Sequence, residues 1–224
     1  MPGNPVKAVI FDMDGVLVNT EPHHVIIERR LFAGLNLDIT KKEHSSYMGK
    51  ATGVMWMEII RKHKLPYKVQ VLTDKNQKSI IDYFSALKEI EVMPGVLNVL
   101  EKLYHKRIPL AVASSSDAET IKIILSRTGL SKYFLYKVSS GSVERGKPAP
   151  DIFLYTAALL SVKPEECMVI EDSANGIKAA KDAGMFCVAY MGKSLGTQDQ
   201  SHADETIDDF SQLEGILQKL TYIK

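Results

Sequence analysis

The stretch that most restricts the fold of this chain is an apolar run followed at once by two aspartates. Val6-Lys7-Ala8-Val9-Ile10-Phe11 is rich in β-branched and aromatic residues, which predicts a buried strand. The run ends at Asp12 and Asp14, and Gly15 follows. Two carboxylates beside the end of an apolar strand repel each other and cost free energy to desolvate. Taken alone, the segment fits a polar turn and a cation-binding site equally well.

From Pro94 onward, strand-like and helix-like segments alternate. The strand-like runs are 108–113, 135–138, 168–170 and 186–190, with Ile207 in a short last strand. Helical stripes of apolar residues lie between these runs and after them. Because this alternation is typical of a parallel sheet covered by helices on both faces, we predict an α/β protein with a Rossmann-like parallel sheet core.

Residues 21–87 interrupt the first crossover of this sheet. They carry helical signals and no convincing strand, and they are too many for a simple connection. The predicted helices begin near Pro22, lie around Met55, and run from about Val69 to Phe84. We therefore predict a core domain of residues 1–20 and 88–224, with an inserted helical cap domain of residues 21–87.

Composition narrows the class of protein. A formal net charge of +1 argues against a nucleic-acid partner and against a membrane-surface protein. No apolar stretch approaches the roughly 20 residues that span a bilayer. Without a signal-peptide pattern, we expect a cytoplasmic protein in which Cys167 and Cys187 are buried, reduced thiols.

Polar groups follow four of the predicted elements. In a parallel sheet the carboxyl ends of the strands meet at one edge, where ligands bind. Acids, hydroxyls and one cation at that edge suit a phosphate group and a divalent metal, and hard oxygen ligands suit Mg²⁺. The segments are Asp12 with Asp14, Ser114-Ser115-Ser116, Gly146-Lys147-Pro148 and Glu171-Asp172.

In order and spacing, these segments resemble the haloacid dehalogenase (HAD) superfamily. The matching residues are Asp12-Met13-Asp14-Gly15-Val16, Ser114 after an apolar strand, Lys147 in Gly-Lys-Pro-Ala-Pro-Asp, and Glu171-Asp172-Ser173. Thr20, Glu21 and His24, with residues 147–153 and 171–176, are similar to the branch that contains β-phosphoglucomutase and small sugar-phosphate phosphatases. This resemblance implies the HAD fold with a helical cap.

The resemblance also implies roles for the core residues. Asp12 is the expected nucleophile, which forms an aspartyl-phosphate and binds the metal. Asp14 is the expected general acid/base, and its backbone carbonyl binds the metal. Ser114 is expected to hydrogen-bond the transferring phosphoryl group, and Lys147 to balance its charge.

Metal and substrate ligands follow from the same resemblance. The Mg²⁺ site is expected at Asp12, Asp14, Glu171 and Asp172; Asp172 ligates directly, and Glu171 lies in the first or second shell. The expected substrate, and the only partner, is a small phosphorylated metabolite. The residues implied in its binding are Thr20, His24, Gly49, Lys50, Lys75, Ser115 and Ser116.

The residues of the core domain do not distinguish a phosphatase from a mutase, because the same aspartyl-phosphate can transfer its phosphoryl group to water or to a sugar. The resemblance implies that a mutase carries an arginine, and usually a lysine, around a cap glycine. Here Thr52 and Met48 take those positions, and Asp117 takes that of a lysine after the serines. We therefore favour a phosphatase of a small phosphorylated sugar or polyol. The alternative is a β-phosphoglucomutase that interconverts β-glucose 1-phosphate and glucose 6-phosphate, and residues 49–52 fit a plain turn equally well.

A phospho-acceptor receiver domain is the competing non-enzymatic class. It also has acids, a hydroxyl and a lysine at strand ends, but it is about half this length and has no helical insertion. A proton donor such as Asp14 would serve no purpose there. We expect a monomeric enzyme, which suits a lid that opens and closes.

Overall fold

A parallel sheet with β1 near its middle organises the α/β part of the chain. The computed structural model describes residues 5–47, 50–192 and 199–221, and within them the sheet has six strands. They are β1 (Ala8–Phe11), β2 (Leu110–Ser114), β3 (Tyr136–Ser139), β4 (Cys167–Glu171), β5 (Phe186–Tyr190) and β6 (Glu205–Ile207). Their order is β3-β2-β1-β4-β5-β6, and every pairing is parallel. The predicted α/β fold class is confirmed.

Strand β1 is enclosed on both edges, since Phe11 pairs with Val112 of β2 and with Ile170 of β4. All four of its residues are buried. The ladder continues one residue further, where the Asp12 N–H donates to the Ile170 carbonyl over 2.9 Å. The strand order reverses between β1 and β4, which is where α/β sheets open a ligand crevice. Asp12 therefore lies at that crevice.

Two compact units make up the chain: residues 1–21 with 89–224, and residues 22–88. The second unit contains α1 (Glu21–Gly34, which begins at the boundary), α2 (Lys41–Ser45), α3 (Thr52–His63) and α4 (Val69–Ala86). On α3, Met55 and Trp56 are buried, whereas 52% of Met57 is exposed, so the apolar run of residues 55–57 does not pack in the core as a whole. Helix α2 was not predicted, because its five residues are too few to show a periodicity.

The helices of the α/β unit are α5 (Val96–His105), α6 (Ala118–Arg127), α7 (Asp151–Leu160), α8 (Ala174–Asp182) and α9 (Gln212–Thr221). Short 3-10 turns lie at Leu130–Tyr133, Ser140–Ser142 and Pro164–Glu166. Helices α6 and α8 begin just after β2 and β4, where Asp117 and Ser173 cap them by accepting backbone N–H bonds. Both helices therefore start at the sheet edge that carries the polar side chains.

Cys167 and Cys187 are free and buried, in agreement with reduced thiols. Burial raises the pKa of the Cys167 thiol to about 12, so this thiol stays protonated and unreactive. Among the helices of residues 5–47, 50–192 and 199–221, none is long and apolar enough to cross a bilayer.

Candidate active site

The Lys147 ammonium joins three of the polar segments at the carboxyl edge of the sheet. Its side chain is only 4% exposed. Nζ donates to Asp12 Oδ1 over 2.6 Å, to Glu171 Oε1 over 2.7 Å and to the Ala113 carbonyl over 3.0 Å. Burial opposes the charge, but the fields of Asp12 and Glu171 outweigh it and raise the pKa of Lys147. Lys147 is therefore a fixed, buried cation between two carboxylates.

Asp12 is a buried carboxyl group at the end of β1. Burial raises its pKa above the ordinary value, Lys147 opposes this rise, and the charges of Glu171 and Asp14 add to it. Asp12 and Glu171 share one lysine, so the negative charge of the two carboxylates exceeds the positive charge beside them. A further cation or an electrophile would relieve that deficit.

Asp14 lies two residues further on and has a different set of partners. Thr20 Oγ1 donates to Asp14 Oδ1 over 2.7 Å. Ser114 Oγ and Ser116 Oγ donate to Oδ2 over 3.2 and 2.9 Å. Three hydroxyls thus orient this carboxylate. Two of them, from Thr20 and Ser116, were predicted as substrate contacts, and no sequence signal pointed to Asp14 as their partner.

The serine segment after β2 is fixed by hydrogen bonds. Ser114 is buried, and its Oγ accepts the Ser116 N–H over 3.0 Å. Ser115 is exposed, and its carbonyl accepts a bond of 2.8 Å from Ser140 Oγ. Ser140 follows β3, so the neighbouring strand supports the serine segment from the side.

Glu171 serves as an anchor for its neighbours. Besides the bond from Lys147 to Oε1, its Oε2 accepts Asp172 N–H, Ser173 N–H and Ser173 Oγ at 2.8, 2.9 and 3.0 Å. A Cβ atom added at Gly176 would lie 1.7 Å from Oε1, so only glycine leaves room for the carboxylate. With both oxygens engaged, Glu171 fits the support of Lys147 better than direct metal ligation.

Asp172 is 5% exposed. Burial, followed by the charges of Glu171 and Asp12, raises its pKa well above the ordinary value. The Lys147 ammonium binds Asp12 and Glu171, and its charge also acts on Asp172. The described residues contain no ready-made cage of three or more Asp, Glu, His or Cys side chains. Mg²⁺ needs only one or two carboxylates and keeps several waters, so Asp12 and Asp172 fit it.

The predicted cap residues belong to the 22–88 unit. His24 packs edge-on against Phe84, with ring centroids 6.0 Å apart. Lys50 Nζ donates to both carboxylate oxygens of Glu58, at 2.8 and 2.7 Å. Lys75 is exposed on α4. Gly49 lies outside the described residues.

His23, the neighbour of His24 on α1, is partly buried. Its Nδ1 lies 3.1 Å from the Tyr83 hydroxyl, and its ring contacts Phe84. The adjacent residues His23 and His24 therefore both pack on aromatic side chains of α4. No spacing in the sequence reveals this packing, because it depends on where α4 lies.

The parallel sheet thus presents a lysine-bound carboxylate, a hydroxyl-bound carboxylate and a buried serine at one edge, an arrangement that suits phosphoryl transfer. The model of the haloacid dehalogenase-like hydrolase family matches residues 9–190. The chain belongs to this family. The predicted resemblance and the predicted enzyme class are confirmed.

Known proteins agree with this assignment. A "phosphorylated carbohydrates phosphatase" of Thermotoga maritima is 36% identical over 185 residues, covering 80% of this chain and 82% of the relative. A β-phosphoglucomutase of Bacillus subtilis is 32% identical over 192 residues, covering 82% of each. The crystal structure of Rhodobacter sphaeroides CbbY with xylulose-(1,5)bisphosphate superposes with a TM-score of 0.82 at 24% identity, covering 93% of this chain and 96% of that one. This structural similarity, at 24% identity, supports the fold alone.

Proposed function

We propose that this chain is a Mg²⁺-dependent phosphatase of a small phosphorylated sugar or polyol. The observation that carries the proposal is the contrast between Asp12 and Asp14. One carboxylate is bound by a buried lysine, and the other, two residues away, is bound by three hydroxyls. Two carboxylates with separate environments suit two separate tasks, nucleophilic attack and proton transfer.

Asp12 attacks the phosphorus atom and becomes an aspartyl-phosphate. Attack requires the ionised carboxylate, and Lys147, at 2.6 Å, stabilises that form against burial. The same ammonium offsets the negative charge of the transferred group, since phosphoryl transfer depends mainly on position and charge neutralisation. A carboxylate nucleophile divides one difficult displacement into two easier ones.

Asp14 protonates the leaving oxygen and then takes a proton from the water that attacks the aspartyl-phosphate. The hydroxyls of Thr20, Ser114 and Ser116 fix its direction. Because Ser114 is within reach of Asp14, we propose that its hydroxyl turns to the phosphoryl group when substrate binds. Ser115, which is exposed, supplies a further polar contact for the substrate.

The residues proposed to hold Mg²⁺ are Asp12 and Asp172 through their carboxylates and Asp14 through its backbone carbonyl. When bound, the ion supplies positive charge that neutralises the phosphoryl oxygens. The excess of buried carboxylates over cations supports a divalent ion here. We assign Glu171 to the support of Lys147 and of the Asp172 N–H.

The substrate class rests on relatives. The Thermotoga maritima relative is named for phosphorylated carbohydrates, which supports a small hydroxyl-rich phosphate ester. We propose that residues 21–87 act as the cap that selects it, as expected for this branch of the family. Thr20, His24, Gly49, Lys50 and Lys75 remain the candidates for substrate contacts.

Hydrolysis is favoured over phosphomutation by the lack of a cation after the serine segment. The carboxylate of Asp117, at the position of a mutase lysine, accepts the N–H groups of Glu119 and Thr120 and thereby caps α6. Lys50 is neutralised by Glu58. The alternative, a β-phosphoglucomutase, is favoured by the Bacillus subtilis relative of that name.

The test is a panel of sugar and polyol monophosphates, with p-nitrophenyl phosphate as a general substrate, assayed with Mg²⁺ and with a chelator. We expect phosphate release that requires Mg²⁺ and is lost in Asp12→Asn. Asp182→Asn, which changes an exposed carboxylate of α8, is the matched control and should retain wild-type turnover. Absence of Mg²⁺-dependent release from every ester would refute the phosphatase.

Isomerisation of β-glucose 1-phosphate, assayed with the sugar bisphosphate activator, separates the two reactions. We expect release of phosphate to exceed isomerisation by orders of magnitude. Isomerisation faster than hydrolysis would assign the chain to the mutases. Asp12→Asn should abolish either reaction, because both pass through the same aspartyl-phosphate.

A further inference from the structure

The Gln200 side chain connects two strand ends beside the proposed metal site. Its Nε2 donates to the Asp172 carbonyl over 2.7 Å and to the Tyr190 carbonyl over 3.1 Å. Asp172 follows β4, and Tyr190 is the last residue of β5. Gln200 itself is partly buried and lies well beyond β5 in the chain, in the segment that leads to β6.

The two carbonyls lie where the ladder between β4 and β5 stops. The last paired residues of these strands are Glu171 and Ala189. One residue later, the chain carrying Asp172 turns into α8, and β5 continues to pair with β6 through Tyr190 and Ile207. The side-chain amide, which has two N–H donors, bridges the strands at this point. Gln200 thus extends the connection between β4 and β5 by one residue.

This bridge fixes the backbone of Asp172 from a second side. The Asp172 N–H donates to Glu171 Oε2 over 2.8 Å, and its carbonyl accepts the bond from Gln200. With both backbone polar groups held by neighbouring side chains, the peptide planes on either side of Asp172 have little freedom to rotate. The direction of the Cα–Cβ bond, and hence of the carboxylate, is set by those planes.

We propose that Gln200 is a positioning residue for the Mg²⁺ site, acting through the backbone of Asp172. The inference rests on the proposed function in one respect, namely that the Asp172 carboxylate ligates the metal. Groups that orient a metal ligand without touching the metal change its affinity by about tenfold to a hundredfold. Gln200 acts through a backbone carbonyl, so we expect the lower end of that range.

The deciding variant is Gln200→Met, which keeps the length of the side chain and removes both donors. Mg²⁺ binding to the full chain is measured directly by isothermal titration calorimetry, without any substrate. We expect the dissociation constant to rise by about tenfold relative to wild type. At saturating Mg²⁺, turnover should recover to within about threefold of wild type, because Gln200 does not touch the reacting groups.

Ser201→Ala is the matched control. Its hydroxyl donates to Asp199 Oδ1 within the same exposed segment, so the change leaves the bridge intact. It should bind Mg²⁺ like wild type. Gln200→Glu should weaken Mg²⁺ binding at least as much as Gln200→Met, since a carboxylate cannot donate to the two carbonyls.

The results separate this inference from the proposed function. A Gln200→Met protein that binds Mg²⁺ like wild type overturns the inference, even if the wild-type chain hydrolyses sugar phosphates. A wild-type protein that binds Mg²⁺, loses affinity in Gln200→Met and hydrolyses no ester supports the inference and refutes the phosphatase. A wild-type protein that binds no Mg²⁺ overturns the inference whatever its activity.

Discussion

Lys147 Nζ lies 2.6 Å from Asp12 Oδ1, and both side chains are almost fully buried. Glu171 Oε1 lies 2.7 Å from the same nitrogen, so one cation serves two acids. A buried ion pair is costly to form, yet removing one partner costs more, because it leaves an uncompensated charge. The lysine is thus a structural requirement of the site as well as a proposed participant in its chemistry.

We expect Lys147→Met to lower the free energy of unfolding of the metal-free protein by about 3–5 kcal/mol, because two buried carboxylates lose their counterion. Urea denaturation followed by circular dichroism measures the change. Lys178→Met, which removes an exposed i,i+4 pair with Asp182, should change stability by less than about 0.5 kcal/mol. Equal effects of the two variants would contradict the role of Lys147.

Gly176→Ala should disrupt the same network from the opposite side. The new Cβ would lie 1.7 Å from Glu171 Oε1 and would force the carboxylate away from Lys147. We expect a loss of about 1–3 kcal/mol of stability, which is typical of overpacking, together with a fall in turnover. Gly215→Ala is the control, because this exposed helical glycine has nothing within 4 Å of an added Cβ. It should be neutral or slightly stabilising.

Thr20→Val should lower kcat by about tenfold to a hundredfold, because Asp14 loses a charge-assisted hydrogen bond of 2.7 Å. KM should change little if Thr20 acts on the proton-transfer group. Thr20→Ser keeps the hydroxyl and should retain most of the activity. The alternative prediction, that Thr20 binds substrate directly, instead requires KM to rise in Thr20→Val.

The stability of the 22–88 unit should depend on pH through the ionisation of Glu43. The hydrogen bond from His63 lowers the pKa of Glu43 from 4.5 to about 2, and bonds from Lys62 and Tyr47 outweigh its partial burial. Since the folded-state pKa is the lower one, this stabilisation is present above pH 4.5 and disappears as the pH falls towards 2. Fluorescence of buried Trp56, the only tryptophan, reports on the unit.

In that titration, Glu43→Gln should lose about 1–2 kcal/mol relative to wild type at pH 6, after allowance for solvent screening, and almost nothing at pH 2. Tyr47→Phe, which removes only one of the three donors, should show a smaller difference at pH 6. A constant gap between wild type and Glu43→Gln across this range would contradict the assignment.

The sheet and its functional edge could be predicted because their signals are local. A continuous apolar run such as that of β1 predicts a strand by itself. Asp12 follows this run directly and is therefore predicted to lie at the end of the strand. The partners of these groups could not be predicted in the same way. The donation from Thr20 to Asp14 depends on the turn between them, and that from Gln200 to Asp172 joins segments 28 residues apart.

Helix α2 and the packing of His23 could not be predicted, because neither leaves a local signal in the sequence. Five residues of α2 hold too little periodicity to be seen, and the tyrosine that binds His23 lies 60 residues away. Hydrophobic pattern predicts which face of a helix is covered, but not by which neighbour. That information exists only once the elements have packed.

The enclosed position of β1 has a consequence for synthesis of the chain. During synthesis this strand is made before its neighbours β2 and β4, which follow only at Leu110–Ser114 and Cys167–Glu171. Its apolar residues therefore remain unpaired while residues 22–88 are synthesised. A polypeptide arrested before Cys167 has Asp12 and Lys147 but lacks Glu171, the second acid that binds the lysine. We therefore expect such a truncated chain to leave the β4-facing edge of β1 unpaired and to show no phosphatase activity.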